Sequence, residues 1–302
     1  MTDVKIRFAK GHGAGNDFIV VPDPDGHLHL TADDVKALCH RRTGIGADGL
    51  LRAVRSTAEP EAESMSAQAD WFMDYRNADG TNGSMCGNGI RVFARYLADA
   101  EFCRPGLVSI VTRAGIRQVR IPPADATDDA ITVDMGRPRL PGPENIKVTV
   151  EPRHWSALNV DMGNPHAVAF IDDLAHAGEL TVPPTVTPAA AYPDGVTVEF
   201  VTIRGPRRLS VRVHERGVGE TSACGTGASA AVAALRQREK HTGMGHYTVD
   251  FPGGCLRITV DADETFQLTG PAVIVLEGAF ALPNGRTGPL AVLAATQSLG
   301  SQ

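Results

Sequence analysis

The sequence predicts an α+β protein made of two pseudo-symmetric domains, each a mainly antiparallel β-sheet or barrel wrapped around a central helix. Three observations lead to this class. Short segments of β-branched or alternating apolar residues, bounded by Gly, Pro, Asp or Asn, outnumber the helical segments. Strands do not alternate with long crossover helices, which disfavours a doubly wound parallel sheet. The chain also matches itself at a fixed offset, so that Cys86 falls on Cys224.

The predicted strands cover residues 5–10, 18–22, 70–75, 108–112, 116–121, 157–162, 196–203, 209–214, 256–260 and 272–276. Three helices are predicted. The first follows Thr31, which has the spacing of a capping box with Asp34. The others cover residues 87–100 and 225–240, and each begins directly after a cysteine. Residues 56–69 and 182–193 have no apolar period and are predicted to be surface loops.

The Pro/Asp-rich residues 122–129 mark the expected boundary between the two domains. We therefore expect an N-terminal domain of residues 1–128 that carries Cys86, and a C-terminal domain of residues 129–275 that carries Cys224. A chain of 302 residues is long enough for two such domains.

Charge, hydropathy and cysteine content exclude several classes of protein. The net charge of -6 provides no basic surface for nucleic acid or for an anionic membrane. No uncharged apolar run reaches the length of a membrane span and the N-terminus lacks a secretory pattern, so we expect a cytoplasmic protein. The five cysteines are widely spaced, with no CxxC and no Cys/His cluster, so neither a disulfide framework nor a metal site is expected.

The internal match brings two cysteine motifs into equivalent positions, which indicates a duplication. The equivalent pairs are Asn77 with Glu215, Cys86 with Cys224, Gly87 with Gly225 and Asn88 with Thr226.

Each of these cysteines precedes a Gly-x-Gly that opens a helix. Uncovered N–H groups and the helix dipole favour bound anions there, and they are expected to lower the thiol pKa from about 8.5 towards neutrality. Two opposed thiols suit one reaction type. A thiolate removes a proton from the carbon next to a carboxylate, and a thiol returns one on the opposite face. The N–H groups would hold the carboxylate while negative charge builds up on it.

Six segments resemble the diaminopimelate epimerase family, in order and across nearly the whole chain: HGAGNDF (12–18), RRTGIGADG (41–49), YRNADGTNGSMCGNGIR (75–91), DMGNPH (161–166), VHERGVGETSACGTGA (213–228) and GPA (270–272). The resemblance implies an epimerase without cofactor that interconverts LL- and meso-diaminopimelate, for lysine and peptidoglycan precursor synthesis. It implies two mirrored domains that close on the substrate, a homodimer, and a tail of residues 276–302 that returns to the first domain.

The resemblance also implies roles for individual residues. Cys86 and Cys224 match the two catalytic cysteines, with Cys86 the proton donor and Cys224 the acceptor in the LL-to-meso direction. His166 and Glu215 match residues that adjust the pKa of the thiols. The matched substrate-binding residues are Asn16, Asn77, Gly87, Asn88, Asn164, Thr197, Glu215, Arg216, Gly225 and Thr226.

Two positions depart from the family pattern. Thr197 stands where an asparagine is common, so this position keeps a hydroxyl but lacks the amide donor. Gly49 follows Asp48 where many members have glutamine, and a glycine offers no side chain to a substrate.

Three other functions remain as alternatives. Proline racemase-like enzymes use the same chemistry, but their first motif reads Cys-Gly-His-Gly, whereas this chain has Asn88 in place of that histidine. A dithiol redox or amino acid-binding protein would use a reversible Cys86–Cys224 disulfide. A pyridoxal phosphate racemase would need a lysine in a phosphate-binding setting, and Lys10, Lys36, Lys147 and Lys240 have none.

Overall fold

The computed structural model describes residues 5–141 and 145–281, which contain eighteen strands and three α-helices. In chain order these elements are β1 (Lys5–Gly13), β2 (Asn16–Pro22), α1 (Ala32–Cys39), β3 (Gly49–Arg55), β4 (Trp71–Asn77), α2 (Gly87–Asp99), β5 (Gly106–Thr112), β6 (Gly115–Ile121), β7 (Ile131–Gly136), β8 (Ile146–Val150), β9 (Arg153–Asp161), β10 (Pro165–Phe170), β11 (Thr185–Thr187), β12 (Thr197–Gly205), β13 (Arg208–Glu215), β14 (Gly219–Thr221), α3 (Gly225–Glu239), β15 (Gly245–Phe251), β16 (Gly254–Val260), β17 (Phe266–Gly270) and β18 (Val273–Ala281).

Sixteen of the eighteen strands form two eight-stranded sheets of the same strand order and the same strand directions, which one pairing joins into a continuous sheet, while β11 pairs with β8 and β14 with β13. The first runs β18–β1–β2–β3–β4–β5–β6–β7, and the second runs β8–β9–β10–β12–β13–β15–β16–β17. In each sheet the third and fifth pairings are parallel and the others antiparallel. β7 pairs with β17 and joins the sheets. The predicted α+β class with two pseudo-symmetric parts is therefore confirmed.

One helix occupies the centre of each sheet. Helix α2 packs against β1, β2, β6, β7 and β18, and α3 packs against β9, β10, β12, β13 and β16. Nearly all of the first three turns of α3 is buried, and most of α2 is buried as well. Over these turns α3 consists almost entirely of small or apolar residues, which suits a helix in the core. The alanine-rich sequence of α3 allows the surrounding strands to approach it closely.

Helix α1 begins with the predicted capping box. The Thr31 hydroxyl oxygen accepts a hydrogen bond from the Asp34 N–H at 3.2 Å, and an Asp34 carboxylate oxygen accepts one from the Thr31 N–H at 2.9 Å. Val35 and Leu38 then pack into a separate small core against β2 and β3.

Eight strands were not predicted from the sequence, namely β3, β7, β8, β10, β11, β14, β15 and β17. Strand β3 is buried on both faces, and such a strand has no polar alternation to reveal it. The loop predicted at residues 182–193 is wrong at β11, which pairs with β8 over three residues. Within the described residues, no helix is long and apolar enough to cross a membrane.

Candidate active site

The two helices begin where the sequence predicts, because Cys86 caps α2 and Cys224 caps α3. The Cys86 sulfur accepts a hydrogen bond from the Gly89 N–H at 3.4 Å, and the Cys224 sulfur accepts one from the Gly227 N–H at 3.3 Å. The backbone angles match closely, with φ −137° and ψ 122° at Cys86 and φ −130° and ψ 120° at Cys224. Both sulfurs therefore lie at the positively polarised end of a buried helix.

The N-termini of α2 and α3 meet backbone to backbone. A Cβ atom at Gly87 would lie 3.2 Å from the Cα of Gly225, and one at Gly225 would lie 3.1 Å from the Cα of Gly87. The Asn88 amide Nδ2 donates to the Ala223 carbonyl at 3.2 Å, which links the two cysteine segments directly. The two cysteines of the duplicated fold therefore lie at one shared site.

Asn16 joins this site from the start of β2. Its Oδ1 accepts a hydrogen bond from Asn88 Nδ2 at 2.5 Å, and its own Nδ2 donates to an Asp48 carboxylate oxygen at 3.2 Å. Asp48 is not among the site residues predicted from the sequence. It lies 32 positions from Asn16, and only the parallel pairing of β2 with β3 brings the two together.

Asn77 lies at the end of β4, opposite Gly49. Its Oδ1 is 2.7 Å from the Tyr75 hydroxyl, and its Nδ2 donates to the Thr81 hydroxyl oxygen at 2.9 Å. A Cβ at Gly49 would lie 2.8 Å from the Tyr75 ring and 2.7 Å from the Arg76 carbonyl oxygen. Gly49 therefore contributes no side chain to the site and has no room for one.

His166 is fully buried in β10, next to Thr197 of β12. Its Nδ1 is 2.6 Å from a Glu199 carboxylate oxygen, and its Nε2 is 3.2 Å from Asn164 Oδ1. Glu199 is itself fully buried below the first turn of α3. Glu199 is not among the residues predicted from the sequence, although a single carboxylate within the apolar strand TVEFVTI was the available signal.

Glu215 and Arg216 follow each other at the end of β13. A Glu215 carboxylate oxygen accepts a hydrogen bond from the Thr221 hydroxyl at 2.5 Å, whereas Arg216 is exposed. The Arg216 guanidinium donates to the Asp194 carbonyl at 3.2 Å and makes no ion pair with a carboxylate in the described part of the chain. Thr197 supports this turn, because its hydroxyl accepts the Arg216 N–H at 3.3 Å.

The predicted near-neutral thiol pKa is wrong for both cysteines. Burial raises the pKa of Cys86 to about 11, although the Gly89 and Asn88 N–H groups act in the opposite direction. Burial also raises the pKa of Cys224 well above its usual value, and the charges of Glu215 and Glu199 add to this effect. The helix dipole is present as predicted, but desolvation of the sulfur outweighs it.

The site residues occur as equivalent pairs, one from each sheet. Asn16 and Asn164 both follow a glycine of positive φ, Gly15 and Gly163, in the turn between the second and third strands of their sheets. Gly49 and Thr197 begin the fourth strand of each sheet, where Gly49 lies opposite Asn77 and Thr197 adjoins Glu215. Each sheet thus contributes a thiol and an asparagine from equivalent positions, and Asn77 of the first sheet is equivalent to Glu215 of the second.

The duplicated sheets and paired cysteine-capped helices define the class: a fold of the racemase, epimerase and PhzF type. A hydroxyproline epimerase from Agrobacterium vitis superimposes with a TM-score of 0.67 at 15% identity, covering 92% of this chain and 93% of that chain. A phenazine biosynthesis protein of the PhzF family from Bacillus anthracis gives a TM-score of 0.66 at 15% identity, covering 92% and 99%. Identities this low show the fold alone.

Sequence comparison identifies the family within this class. A family model described as diaminopimelate epimerase matches residues 8–141 and 158–275. The diaminopimelate epimerase of Streptomyces coelicolor is 54% identical over 281 residues, covering 91% of this chain and 96% of that protein. The diaminopimelate epimerase of Thermobifida fusca is 44% identical, covering 90% and 97%. The chain belongs to the diaminopimelate epimerase family.

Proposed function

We propose that this protein interconverts LL- and meso-diaminopimelate by proton transfer at the α-carbon between two cysteines, without a cofactor. The observation that carries the proposal is the meeting of two cysteine-capped helices at Gly87 and Gly225. Family membership supplies the substrate and the place of the reaction in lysine and peptidoglycan precursor synthesis.

In the LL-to-meso direction, the Cys224 thiolate takes the α-proton and the Cys86 thiol donates a proton to the opposite face of the carbon. The thiolate and thiol exchange roles in one turnover, and the reverse reaction starts from that state. The reacting carboxylate is held by N–H groups at the two helix openings, from Gly87, Asn88, Gly225 and Thr226. These groups stabilise the negative charge that builds up as the α-proton leaves.

The remaining polar groups suit the two amino acid ends of the substrate. Asn16, Asn77, Asn164 and Thr197 offer neutral donors and acceptors for amino and carboxylate groups. The exposed Arg216 guanidinium offers a fork of donors to the distal carboxylate. Glu215 binds the substrate amino group, and together with His166 it adjusts the pKa of the thiols.

We propose that residues 1–128, with the chain from 276 onwards, form one domain and that residues 129–275 form the other, with β7 (Ile131–Gly136) crossing over to pair with β6 and complete the first sheet. The antiparallel pairing of β18 with β1 supports the return of the chain to the first domain, and the part of the predicted tail from residue 282 lies outside the described residues. A cytoplasmic homodimer is proposed from the family resemblance. The net charge of -6 argues against a nucleic acid partner.

The proposed function is tested with single Cys86→Ala and Cys224→Ala proteins. Each variant is expected to lose interconversion of LL- and meso-diaminopimelate, with unfolding curves close to that of the unchanged protein. Cys255→Ala is the matched control, because Cys255 is exposed and distant in sequence from both motifs. Full activity in either site variant would contradict the two-cysteine mechanism.

The alternatives predict different results. A proline racemase-like enzyme would racemise proline. A dithiol switch would gain its function on oxidation, whereas the proposed epimerase requires both thiols to be reduced. A pyridoxal phosphate enzyme would show an absorbance band from an internal aldimine.

A further inference from the structure

The two halves of the site differ at two positions that carry threonine in one half and glycine in the other. Thr197 and Thr221 of the second half correspond to Gly49 and Gly83 of the first half. Gly49 and Thr197 begin equivalent strands, and Gly83 and Thr221 each lie three residues before a capping cysteine. In the second half both threonine hydroxyls make hydrogen bonds. The Thr197 hydroxyl accepts one from the Arg216 N–H, and the Thr221 hydroxyl donates one to the Glu215 carboxylate.

The Tyr75 ring occupies the space that these two glycines leave. A Cβ at Gly49 would lie 2.8 Å from Tyr75 Cε2, and a Cβ at Gly83 would overlap Cδ1 and Cε1 of the same ring. Phe18 packs against the ring edge-to-face, with a centroid distance of 6.1 Å. The equivalent position in the second half is Val213, which pairs with Thr221 as Tyr75 pairs with Gly83. A tyrosine in this place is therefore specific to the first half.

The hydrogen bonds around Asn77 fix its amide orientation. The Thr81 hydroxyl lies 2.6 Å from an Asp79 carboxylate oxygen, and hydrogen bonds from Thr81 lower the pKa of Asp79. The hydroxyl proton of Thr81 therefore goes to Asp79, and the Thr81 oxygen accepts from Asn77 Nδ2 at 2.9 Å. Asn77 Oδ1 must then face Tyr75, whose hydroxyl donates to it at 2.7 Å.

We infer that Tyr75 is a positioning residue for substrate binding, because its hydroxyl orients Asn77 in the first half as the Thr221 hydroxyl orients Glu215 in the second half. The amide held in this way keeps one N–H and one oxygen lone pair for the substrate. Tyr75 thereby compensates for the missing hydroxyl side chain at Gly83, the counterpart of Thr221. The inference rests on the proposed function, since it takes Asn77 as a substrate ligand.

The first test is Tyr75→Phe, assayed with LL-diaminopimelate beside the unchanged protein. Loss of one neutral hydrogen bond is expected to raise KM about 3- to 10-fold and to leave kcat within about twofold, because the interaction is made equally in the ground state and the transition state. An unchanged KM, or a fall in kcat alone, would overturn the inference. If the unchanged protein did not turn over LL-diaminopimelate, the proposed function would fail and this inference with it.

The second test transfers the arrangement of the second half to the first. Tyr75→Val combined with Gly83→Thr places a hydroxyl where Thr221 has one, and Tyr75→Val combined with Gly83→Val is its isosteric control. Gly83 is not among the residues of positive φ, so its backbone accepts either threonine or valine. We expect the threonine protein to have a KM at least about threefold lower than the valine protein. Equal KM values in these two proteins would show that the hydroxyl has no role.

Discussion

Glu215 acts electrostatically on both thiols. In its ionised form Glu215 raises the pKa of Cys86 and of Cys224, in addition to the larger effect of burial, and burial raises the pKa of Glu215 as well. A raised thiol pKa means less thiolate at neutral pH, so the alkylation rate of both cysteines should still be rising above pH 8.5, the usual thiol value.

Glu215→Gln should therefore accelerate alkylation of Cys86 and Cys224 by iodoacetamide at pH 8, because removal of the carboxylate lowers both pKa values. Peptide mass spectrometry on samples taken over time measures each cysteine separately. Glu220→Gln is the control, because Glu220 is exposed and paired with Arg212. Equal alkylation rates in the two variants would contradict the electrostatic role of Glu215.

The sequence predicts features that depend on a few consecutive residues, such as helix caps, but not those that depend on contacts between distant parts of the chain. The Gly-x-Gly after each cysteine predicted both helix openings correctly, since a cap depends on a few consecutive residues. The prediction of a near-neutral thiol pKa was wrong, because the burial that raises this pKa depends on the whole surrounding fold. Glu199 was missed because its partner His166 lies on another strand. Tyr75 was missed because its role depends on the space beside Gly49 and Gly83, which only the folded chain brings against the ring.

The close contact between the N-termini of α2 and α3 requires glycine at positions 87 and 225. A Cβ at Gly225 would lie 2.8 Å from Leu268 Cδ2 and 3.1 Å from the Gly87 Cα, so the two helix ends would have to separate. Overpacking of this kind costs about 1–3 kcal/mol. It would also move the two sulfurs apart, and a small displacement of reacting groups can reduce a rate about 100-fold.

We therefore expect Gly225→Ala to reduce kcat by up to about 100-fold, while the loss of stability stays within about 1–3 kcal/mol. The steady-state rate and a thermal unfolding curve check the two effects. Gly205→Ala is the control, since a Cβ there would meet no atom within 4 Å. An active Gly225→Ala enzyme with unchanged kcat would contradict the close contact of the helices.

A buried charge network fixes the β3–β4 hairpin beneath Asn77. Arg52 donates to Asp74 and Asp23, each at 2.9 Å, and Arg113 donates to the other Asp74 oxygen at 2.6 Å. Burial alone would raise the pKa of Asp74, but the Arg113 hydrogen bond and the charges of Arg76 and Arg52 lower it below its usual value. Because the folded-state pKa is depressed, the stability from Asp74 is fully present above pH 4 and is lost as the pH falls through that lower value.

Asp74→Asn should therefore lower the free energy of unfolding by about 3 kcal/mol at pH 7, because it leaves buried arginines without their carboxylate. Urea unfolding at a series of pH values should show the difference from the unchanged protein shrinking below pH 4. Asp263→Asn, in an exposed pair with Arg137, should leave the unfolding curve unchanged. A difference that did not depend on pH would contradict the ionised state of Asp74.

At the scale of the whole molecule, the duplication explains both the fold and the site. Two sheets with the same strand order each surround one helix capped by a cysteine, and the starts of these two helices meet. Such an arrangement suits a reaction in which a proton leaves one face of a carbon and returns to the other. The duplication was visible in sequence near the cysteines. It was not visible over the outer strands, where the spacing between equivalent residues changes and only strand pairing reveals the repeat.

The most direct test of the central claim is incubation of the reduced protein with LL-diaminopimelate in deuterium oxide, without added cofactor. Chiral separation and mass analysis of both stereoisomers give the result. The two-cysteine mechanism predicts meso-diaminopimelate carrying a single deuterium at the inverted α-carbon, while unreacted LL-diaminopimelate at early times remains largely unlabelled. Meso product without solvent deuterium, or no meso product at all, would contradict proton transfer between Cys86 and Cys224.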